Sequence, residues 1–233
     1  MHVIVPLAGP DFVRSDGSLK ALIPFQGQPL LQHALQSRPW SSEVERYSFI
    51  LHDCEASRSF VCDHLTHWYP NATVVYLSTF SRGAACSALA GVSVREEFHR
   101  PLIVDLADIL YSSDLRLGAR LRASPNCGGL ALVFPSHNPQ YSYLRCDETD
   151  RVVEAVEKKV ISDHASAGTY IFRDCAVFLR AVAHAFENEA SQVCKDLFYV
   201  CPLFNGVLVQ GKEVELEPVR DIVDVKIDVI SHG

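Results

Sequence analysis

Short apolar runs rich in β-branched residues recur along the chain, and polar segments separate them. In the first half these runs predict strands at residues 2–7, 46–52, 73–77 and 101–105. Helical spacing is present over residues 56–68, and a second helix is predicted to begin at Pro29 or Leu30, after a turn. Strands that alternate with helices in this way predict a parallel sheet with helices on its faces.

The second half departs from simple alternation. Strand-like runs joined by short polar turns predict strands at residues 129–134, 142–146, 152–156, 165–172 and 213–218. Residues 147–150 have the composition of a hairpin turn, and helices are predicted over residues 175–187 and 199–209. We therefore expect an α/β fold with a mixed, mostly parallel sheet, in one domain over residues 1–233.

The segment of residues 5–35 carries the most informative pattern in the chain. An apolar strand reaches Leu7, Ala8 and Gly9, and the glycine breaks the strand where a loop must leave the sheet. Ligands of open α/β sheets bind at such strand ends. Because the polar loop ends at Lys20, it predicts a site that holds a triphosphate against one lysine.

Two carboxylates, Asp105 and Asp108, follow at the end of the strand predicted at residues 101–105. Side chains alternate along a strand, so the two would point to opposite faces if the strand continued. Carboxylate oxygens at the ligand end of a sheet are suited to hold Mg²⁺. Both residues are therefore candidate metal ligands.

Composition narrows the class of partners. Hydrophobic residues make up 48% and charged residues 21% of the chain, and no apolar run approaches the ~20 residues that cross a bilayer. The net charge of −7 argues against nucleic acid, because binding a phosphate backbone needs clustered Lys and Arg. The chain starts directly in a predicted strand, so we expect a cytoplasmic protein without a membrane partner. The eight cysteines show no Cys-x-x-Cys spacing and are expected to be core thiols.

Several segments resemble the sugar-phosphate nucleotidyltransferases. Residues 7–9 match the Ala-Gly end of that family's first strand, residues 19–22 stand where Pro-Lys-Pro-Leu is usual, and residues 27–31 match its helix start. Residues 152–163 and 167–172 resemble a subgroup with a Glu-Lys-Lys-x-Ile-Ser run and an Ala-Gly-x-Tyr-x-Phe strand, which often occurs with capsule or other surface-polysaccharide synthesis. The resemblance implies a three-layer α/β/α, Rossmann-like fold of the GT-A type.

The resemblance also implies roles for individual residues. Lys20, Asp108 and Lys158 would be catalytic, with Asp108 and Asp221 as ligands of Mg²⁺. The nucleotide would contact one group of residues in the first loop and in the turn before the next helix, namely Leu7, Ala8, Gly9, Arg14, Gly83 and Ala84. The second substrate would contact a group in the second half of the chain, namely Tyr143, Glu157, Gly168 and Asn205.

These residues imply transfer of a nucleoside monophosphate from an NTP to a sugar phosphate or a related phosphorylated metabolite, with release of pyrophosphate and with Mg²⁺ as cofactor. Two alternatives stay open. Pro10 and Asp11 favour a catalytically degenerate relative that binds a nucleotide or sugar phosphate, because a proline removes an N–H and an aspartate adds negative charge at an anion site. A glycosyltransferase would use Asp105 and Asp108 as a diphosphate-metal motif. The sequence also leaves a homodimer open.

Overall fold

The computed structural model describes residues 1–95 and 97–225. The strands, numbered in chain order, are β1 His2–Pro6, β2 Pro24–Phe25, β3 Gln28–Pro29, β4 Arg46–His52, β5 Thr73–Leu77, β6 Leu102–Asp105, β7 Ile109–Ser112, β8 Cys127–Pro135, β9 Ser142–Cys146, β10 Val152–Glu157, β11 His164–Phe172, β12 Val193–Cys194, β13 Leu197–Phe198, β14 Glu213–Pro218 and β15 Arg220–Asp224. The α-helices are α1 Leu30–Gln36, α2 Glu55–Phe60, α3 Thr66–Trp68, α4 Ala84–Ser93, α5 Leu117–Ala123, α6 Cys175–Glu187, α7 Glu189–Gln192 and α8 Leu203–Val209.

The central sheet has the order β10-β9-β11-β6-β1-β4-β5, and β8 joins β11 to β14. Strand β1 is parallel to β4 and β6, β4 is parallel to β5, and β8 is parallel to β14. Strand β11 is antiparallel to β6, β8 and β9, and β9 is antiparallel to β10. Within the described residues only β10 and β11 therefore run against the other strands of this sheet. The predicted α/β fold with a mixed, mostly parallel sheet is confirmed.

Alternation along the strands builds an apolar layer on each face of the sheet. In β1, Val3 and Val5 belong to one buried cluster, whereas Ile4 belongs to the other. Helices α1 and α2 contribute to the first cluster through Leu31 and Phe60, and helices α4, α6 and α8 contribute to the second. The period of two along a strand thus produces the three layers.

Most predicted elements match closely. Strands β4 and β5, the hairpin strand β9, helix α6 and strand β14 have the predicted bounds. The predicted helix over residues 199–209 begins only at Leu203, because Pro202 stands at its start and the residues before it form a turn. In that turn the Leu203 N–H donates to the Val200 carbonyl at 3.1 Å. Tyr199 consequently lies on a loop rather than in a helix.

In the described part of the chain, three short pairings beside the main sheet were not predicted, and one of them joins β2 to β3. Strand β7 pairs antiparallel with β15, so that Ile109 lies opposite Asp224. Strands β12 and β13 form a hairpin whose turn residues, Lys195 and Asp196, both have positive φ. Among the described residues, none of the helices has the length and apolar character that crossing a membrane requires.

Candidate functional site

A cavity of about 520 Å³ opens where β1, β5 and β6 end. These strands end at the same edge of the sheet because they are parallel. Strand β1 lies between β4 and β6, so the chain continues from β1 to its neighbour on one side and later crosses to its neighbour on the other side. Such a reversal in strand order is where open α/β sheets bind ligands. The described residues that line the cavity include Leu7, Ala8, Gly9, Asp11, Phe12, Lys20, Phe80, Ser81, Gly83, Ala84, Ser87, Asp108, Lys158 and Tyr199.

Lys20 reaches the cavity because the first loop folds back on itself. The Arg14 N–H donates to the Ser18 carbonyl at 2.9 Å, and the Lys20 N–H donates to the Phe12 carbonyl at 3.0 Å. The Lys20 Nζ atom then lies 3.3 Å from Asp11 Oδ2 and 3.9 Å from Asp108 Oδ2. One ammonium thus stands between a carboxylate of the loop and a carboxylate that follows β6.

Asp108 is held by a tight turn after β6. The strand ends at Asp105, and Ala107 has a φ of 53°, a left-handed conformation that is unusual for a residue with a Cβ. Gly168 lies directly against the turn, because a Cβ on it would stand 3.1 Å from Asp108 Oδ1, and its carbonyl accepts from the Leu106 N–H at 2.9 Å. Strained backbone that neighbouring contacts hold in place is typical of functional sites.

Asp105 has a structural partner. Its carboxylate is fully buried and accepts two hydrogen bonds from Arg38, at 2.7 Å from Nε and 3.0 Å from Nη2. It also accepts from the Ala107 N–H at 2.9 Å. The Arg38 guanidinium packs 4.0 Å from the centre of the Tyr111 ring. Because this network uses Asp105 to anchor the turn, Asp105 and Asp108 do not form a shared diphosphate-metal motif.

Lys158 enters the cavity from the end of β10. Its φ is 53°, and its N–H donates to the Tyr141 carbonyl at 3.0 Å. The Nζ atom donates to the Tyr199 hydroxyl at 3.1 Å and lies 4.8 Å from the centre of that ring. Burial opposes the charged form of Lys158, but the contact with Tyr199 outweighs it, and the pKa of the ammonium is raised above its ordinary value. The lysine is therefore a cation at neutral pH.

Gly83 and Ala84 lie between β5 and α4 and line the cavity together with Leu7, Ala8 and Gly9. Gly83 has a φ of 102°, and the backbone of Phe198 fills the space that a Cβ on Gly83 would occupy. Close packing against β13 thus explains why this position needs a glycine. Its place on the cavity wall is compatible with the predicted contact to the nucleotide.

Other predicted site residues are engaged elsewhere. Arg14 donates to Ser18 Oγ at 3.2 Å and stands 3.4 Å from Asp16, and it is outside the set of described residues that line the cavity. The side-chain amide of Asn205 accepts from the Ala155 N–H at 2.9 Å and donates to the Ala155 carbonyl at 2.8 Å. Asn205 therefore ties α8 to β10.

Tyr143 and Glu157 also lie apart from the cavity lining. The buried Tyr143 donates its hydroxyl to the Asn138 carbonyl at 2.8 Å. Glu157, which precedes Lys158, accepts a short hydrogen bond from Ser142 Oγ. Neither residue is among the described residues that line the cavity.

The structure places Asp224, rather than Asp221, beside Asp108. Asp221 is exposed on β15 with a φ of 55°. Asp224 is buried, accepts from the Tyr141 hydroxyl at 2.8 Å, and is followed by Val225, whose N–H donates to the Asp108 carbonyl at 3.2 Å. The sequence signal for Asp224 was the apolar pair before it, which favours an inward position at a strand end.

Sequence reasoning also missed Tyr199 and Phe80. The sequence pattern predicts a helix at Tyr199, and a helix there does not imply the contact with Lys158. Phe80 lies in a turn that is otherwise polar, and an aromatic residue in such a turn is a sequence signal for a ligand contact. Both side chains line the cavity.

Another cavity, of about 600 Å³, lies between the β9–β10 turn and β14. Its lining mixes charges of both signs, including Arg120, which pairs with Glu215, and Asp147, which accepts hydrogen bonds within its own turn. None of the predicted catalytic residues lies there. The cavity at the strand ends is therefore the candidate site.

Three solved structures show the same fold over nearly the whole chain. A nucleoside-diphosphate-sugar pyrophosphorylase from Vibrio cholerae has a TM-score of 0.78 at 20% identity and covers 94% of this chain and 91% of its own. An inositol-1-phosphate CTP transferase from T. maritima has a TM-score of 0.66 at 15% identity, with coverages of 95% and 86%. A UDP-glucose pyrophosphorylase, complexed with UDP-glucose, has a TM-score of 0.69 at 14% identity, with coverages of 96% and 92%.

No protein-family model matches the sequence, and no curated protein matches it. At 14% to 20% identity the solved structures establish the fold. The activity has to be argued from the side chains in the cavity.

Proposed function

We propose that this chain is a nucleotidyltransferase that moves a nucleoside monophosphate from an NTP to a sugar phosphate or a related phosphorylated metabolite. The observation that carries the proposal is the convergence of Lys20, Asp108 and Lys158 on one cavity at the ends of β1 and β6. The three residues come from distant parts of the chain, and the fold brings them to the same cavity. The likeness to pyrophosphorylases and a CTP transferase in fold supports the same activity.

The donor set at the site suits Mg²⁺ bound together with phosphates. Among the described residues, no cluster of three or more His, Cys, Asp or Glu side chains is arranged to hold a metal ion. Mg²⁺ commonly binds one or two carboxylates and completes its shell with water and substrate phosphates. Asp108 would hold the ion, and the backbone that follows Asp224 on β15 is hydrogen-bonded to the Asp108 carbonyl. When bound, Mg²⁺ would neutralise charge on the triphosphate.

The two lysines supply fixed positive charge on the substrates. Lys20 would turn from its carboxylate partners to the triphosphate, and Lys158 would hold the phosphate of the acceptor. An oxygen of that phosphate attacks the α-phosphorus of the NTP and forms the new P–O bond, while the bond to the bridging oxygen breaks and pyrophosphate leaves with the electron pair. Positioning and electrostatic stabilisation are sufficient for such a reaction, without a covalent intermediate.

Residues 152–163 and 167–172 resemble one subgroup of the sugar-phosphate nucleotidyltransferases, and this resemblance supports a narrower proposal for the product. It places the product, an activated sugar or a similar metabolite, in capsule or surface-polysaccharide synthesis. Because NTPs are cytoplasmic substrates, the reaction would take place in the cytoplasm.

A degenerate binding protein is the second candidate, and one observation favours it. The Asp11 carboxylate lies 3.3 Å from the Lys20 ammonium, at the position where a phosphate would bind. Such a contact neutralises the lysine and weakens the site for anions. The Asp11 side chain is 59% exposed, so a triphosphate would have to displace it from Lys20 toward water.

Release of pyrophosphate tests the proposal. The chain would be mixed with each of the four NTPs, Mg²⁺ and a panel of sugar 1-phosphates and other phosphorylated metabolites, and pyrophosphate would be measured with a coupled assay. We expect release that requires one NTP, one acceptor and Mg²⁺ together. If calorimetry shows NTP binding but no acceptor supports release, the binding protein is favoured. If no NTP binds, the nucleotidyltransferase is excluded, and calorimetry with the sugar phosphates alone then tests the binding protein.

A further inference from the structure

Phe80 presents an aromatic ring at the mouth of the candidate site. The residue lies in the turn between β5 and α4 and lines the cavity, yet the side chain is 56% exposed. Single exposed apolar side chains are common on protein surfaces, but this one also lines a cavity, and aromatic side chains are typical of the walls of ligand sites. Nothing in the catalytic arrangement of Lys20, Asp108 and Lys158 uses this ring.

The His52 ring packs against one face of the Phe80 ring. The two ring centres are 4.2 Å apart, and the ring planes differ by 14°, so the side chains are stacked face to face. His52 ends β4, and the next residue, Asp53, donates its N–H to the Leu77 carbonyl of β5 at 2.8 Å. The base of the stack therefore stands on two neighbouring strands of the sheet. His52 thus covers one face of the Phe80 ring, and Phe80 itself is among the residues that line the cavity.

The cavity wall next to Phe80 suits a flat, apolar group. Ala8 and Ala84 also line the cavity and contribute small apolar side chains to it. The hydroxyls of Ser81 and Ser87 lie 2.7 Å apart and bond to each other. The charged groups of the cavity belong to other elements, namely the first loop, the β6 turn and the end of β10. A ligand with an aromatic ring system attached to a phosphate chain would match this separation of apolar and charged groups in the cavity.

We propose that Phe80 stacks on the nucleobase of the NTP and that His52 is a positioning residue that keeps the Phe80 ring in place. The inference rests on the proposed function and adds a residue that determines affinity for the nucleoside part. Stacking on an aromatic ring tolerates every base, because each base has a π-face. Phe80 therefore strengthens binding of all four NTPs, and discrimination among them must come from hydrogen bonds elsewhere in the site.

Calorimetry with two Mg²⁺-bound probes separates stacking from phosphate binding. Inorganic tripolyphosphate carries the phosphates without a base, whereas the NTP selected by the wild type carries both. For Phe80→Ala we expect NTP binding to weaken about tenfold, within the range for loss of one base stack, and tripolyphosphate binding to stay the same. Phe80→Tyr should bind the NTP within about threefold of the wild type, because it retains a ring.

His52 provides a second, independent test. His52→Ala should weaken NTP binding by a smaller factor than Phe80→Ala, about threefold, and His52→Phe should restore it because a ring again backs Phe80. Phe98→Ala is the matched control, since Phe98 is 40% exposed but is outside the described residues that line the cavity. Thermal unfolding of each variant checks that the fold is intact.

Different failures identify different errors. If the wild type binds the NTP and Phe80→Ala binds it equally well, the stacking role is overturned while the proposed function stands. If Phe80→Ala loses tripolyphosphate and NTP binding in equal proportion, the residue supports the shape of the loop and stacks on nothing. If the wild type binds neither probe, the proposed function and this inference fail together.

Discussion

The Nζ atom of Lys20 lies 3.9 Å from Oδ2 of Asp108, and the two side chains are only 16% and 14% exposed. This contact joins the loop after β1 to the turn after β6 across the cavity. Since both groups are largely shielded from water, their attraction is less screened than that of a surface pair. The pair therefore holds an ammonium and the carboxylate that we propose as the Mg²⁺ ligand at the same end of the sheet before any substrate arrives.

Removing either member of this pair should nearly abolish the reaction. For Lys20→Ala and for Asp108→Asn we expect pyrophosphate release to fall ~10²-fold or more, because each loses a preorganised charge that acts on the transferring phosphate. The rate would be measured under saturating NTP, acceptor and Mg²⁺. Asp114→Asn is the control, because Asp114 pairs with Arg220 on the surface. Near-normal rates in both site variants would contradict the mechanism.

Asp11 should weaken the binding of free anions. In Asp11→Asn the negative charge beside Lys20 is lost, and inorganic pyrophosphate without metal should bind roughly fourfold more tightly, as expected for unit charges ~5 Å apart that are screened as in bulk water. Asp16→Asn is the matched control from the same loop, since Asp16 contacts Ser18 instead. Titration calorimetry of the two variants and the wild type gives the answer. Weaker binding by Asp11→Asn would instead indicate that Asp11 helps to hold a cation.

The pair of Arg38 and Asp105 should matter for stability. Arg38→Met removes the partner of a fully buried carboxylate, so we expect the free energy of unfolding to fall by about 3–5 kcal/mol. Urea denaturation measures this loss. Arg58→Met is the control, because the Arg58–Asp53 pair is exposed and should contribute far less. Equal effects of the two variants would show that burial of the Arg38 pair has no special role.

His2 should make the protein sensitive to acid. Burial, followed by the charges of Arg95 and Arg46, lowers the pKa of His2 to about 3, and Nε2 lies 2.7 Å from Ser48 Oγ. The unfolded chain, with the ordinary value of 6.5, binds this proton more readily than the folded chain does. Stability is therefore complete above pH 6.5 and falls by at most about 1.4 kcal/mol per pH unit as the pH drops toward 3.

The variant His2→Gln tests this dependence. We expect its unfolding free energy, measured by urea denaturation at several pH values, to vary less between pH 6.5 and pH 4 than that of the wild type. His137→Gln is the control, since His137 is exposed. An unchanged slope in His2→Gln would assign the acid sensitivity to other groups.

Local patterns were enough to predict most elements of the fold. Strands β4 and β5 have short apolar runs bounded by polar residues, and helix α6 has a clear apolar face, so neighbouring residues alone decide their conformation. The same holds for Lys20 and Asp108, which stand at the ends of predictable elements. The sheet order then brings these ends to one edge, because parallel strands share their direction.

Contacts between distant residues could be recognised only in the folded chain. The burial of Asp105 against Arg38, the contact between Lys158 and Tyr199, and the position of Asp224 beside Asp108 all join segments that are far apart in sequence. A side chain's partner depends on where other elements pack, and periodicity carries no such information. The amino-acid order was thus sufficient for the elements and for the main charged residues of the site. Long-range packing decided which polar groups face the cavity and which ones stabilise its walls.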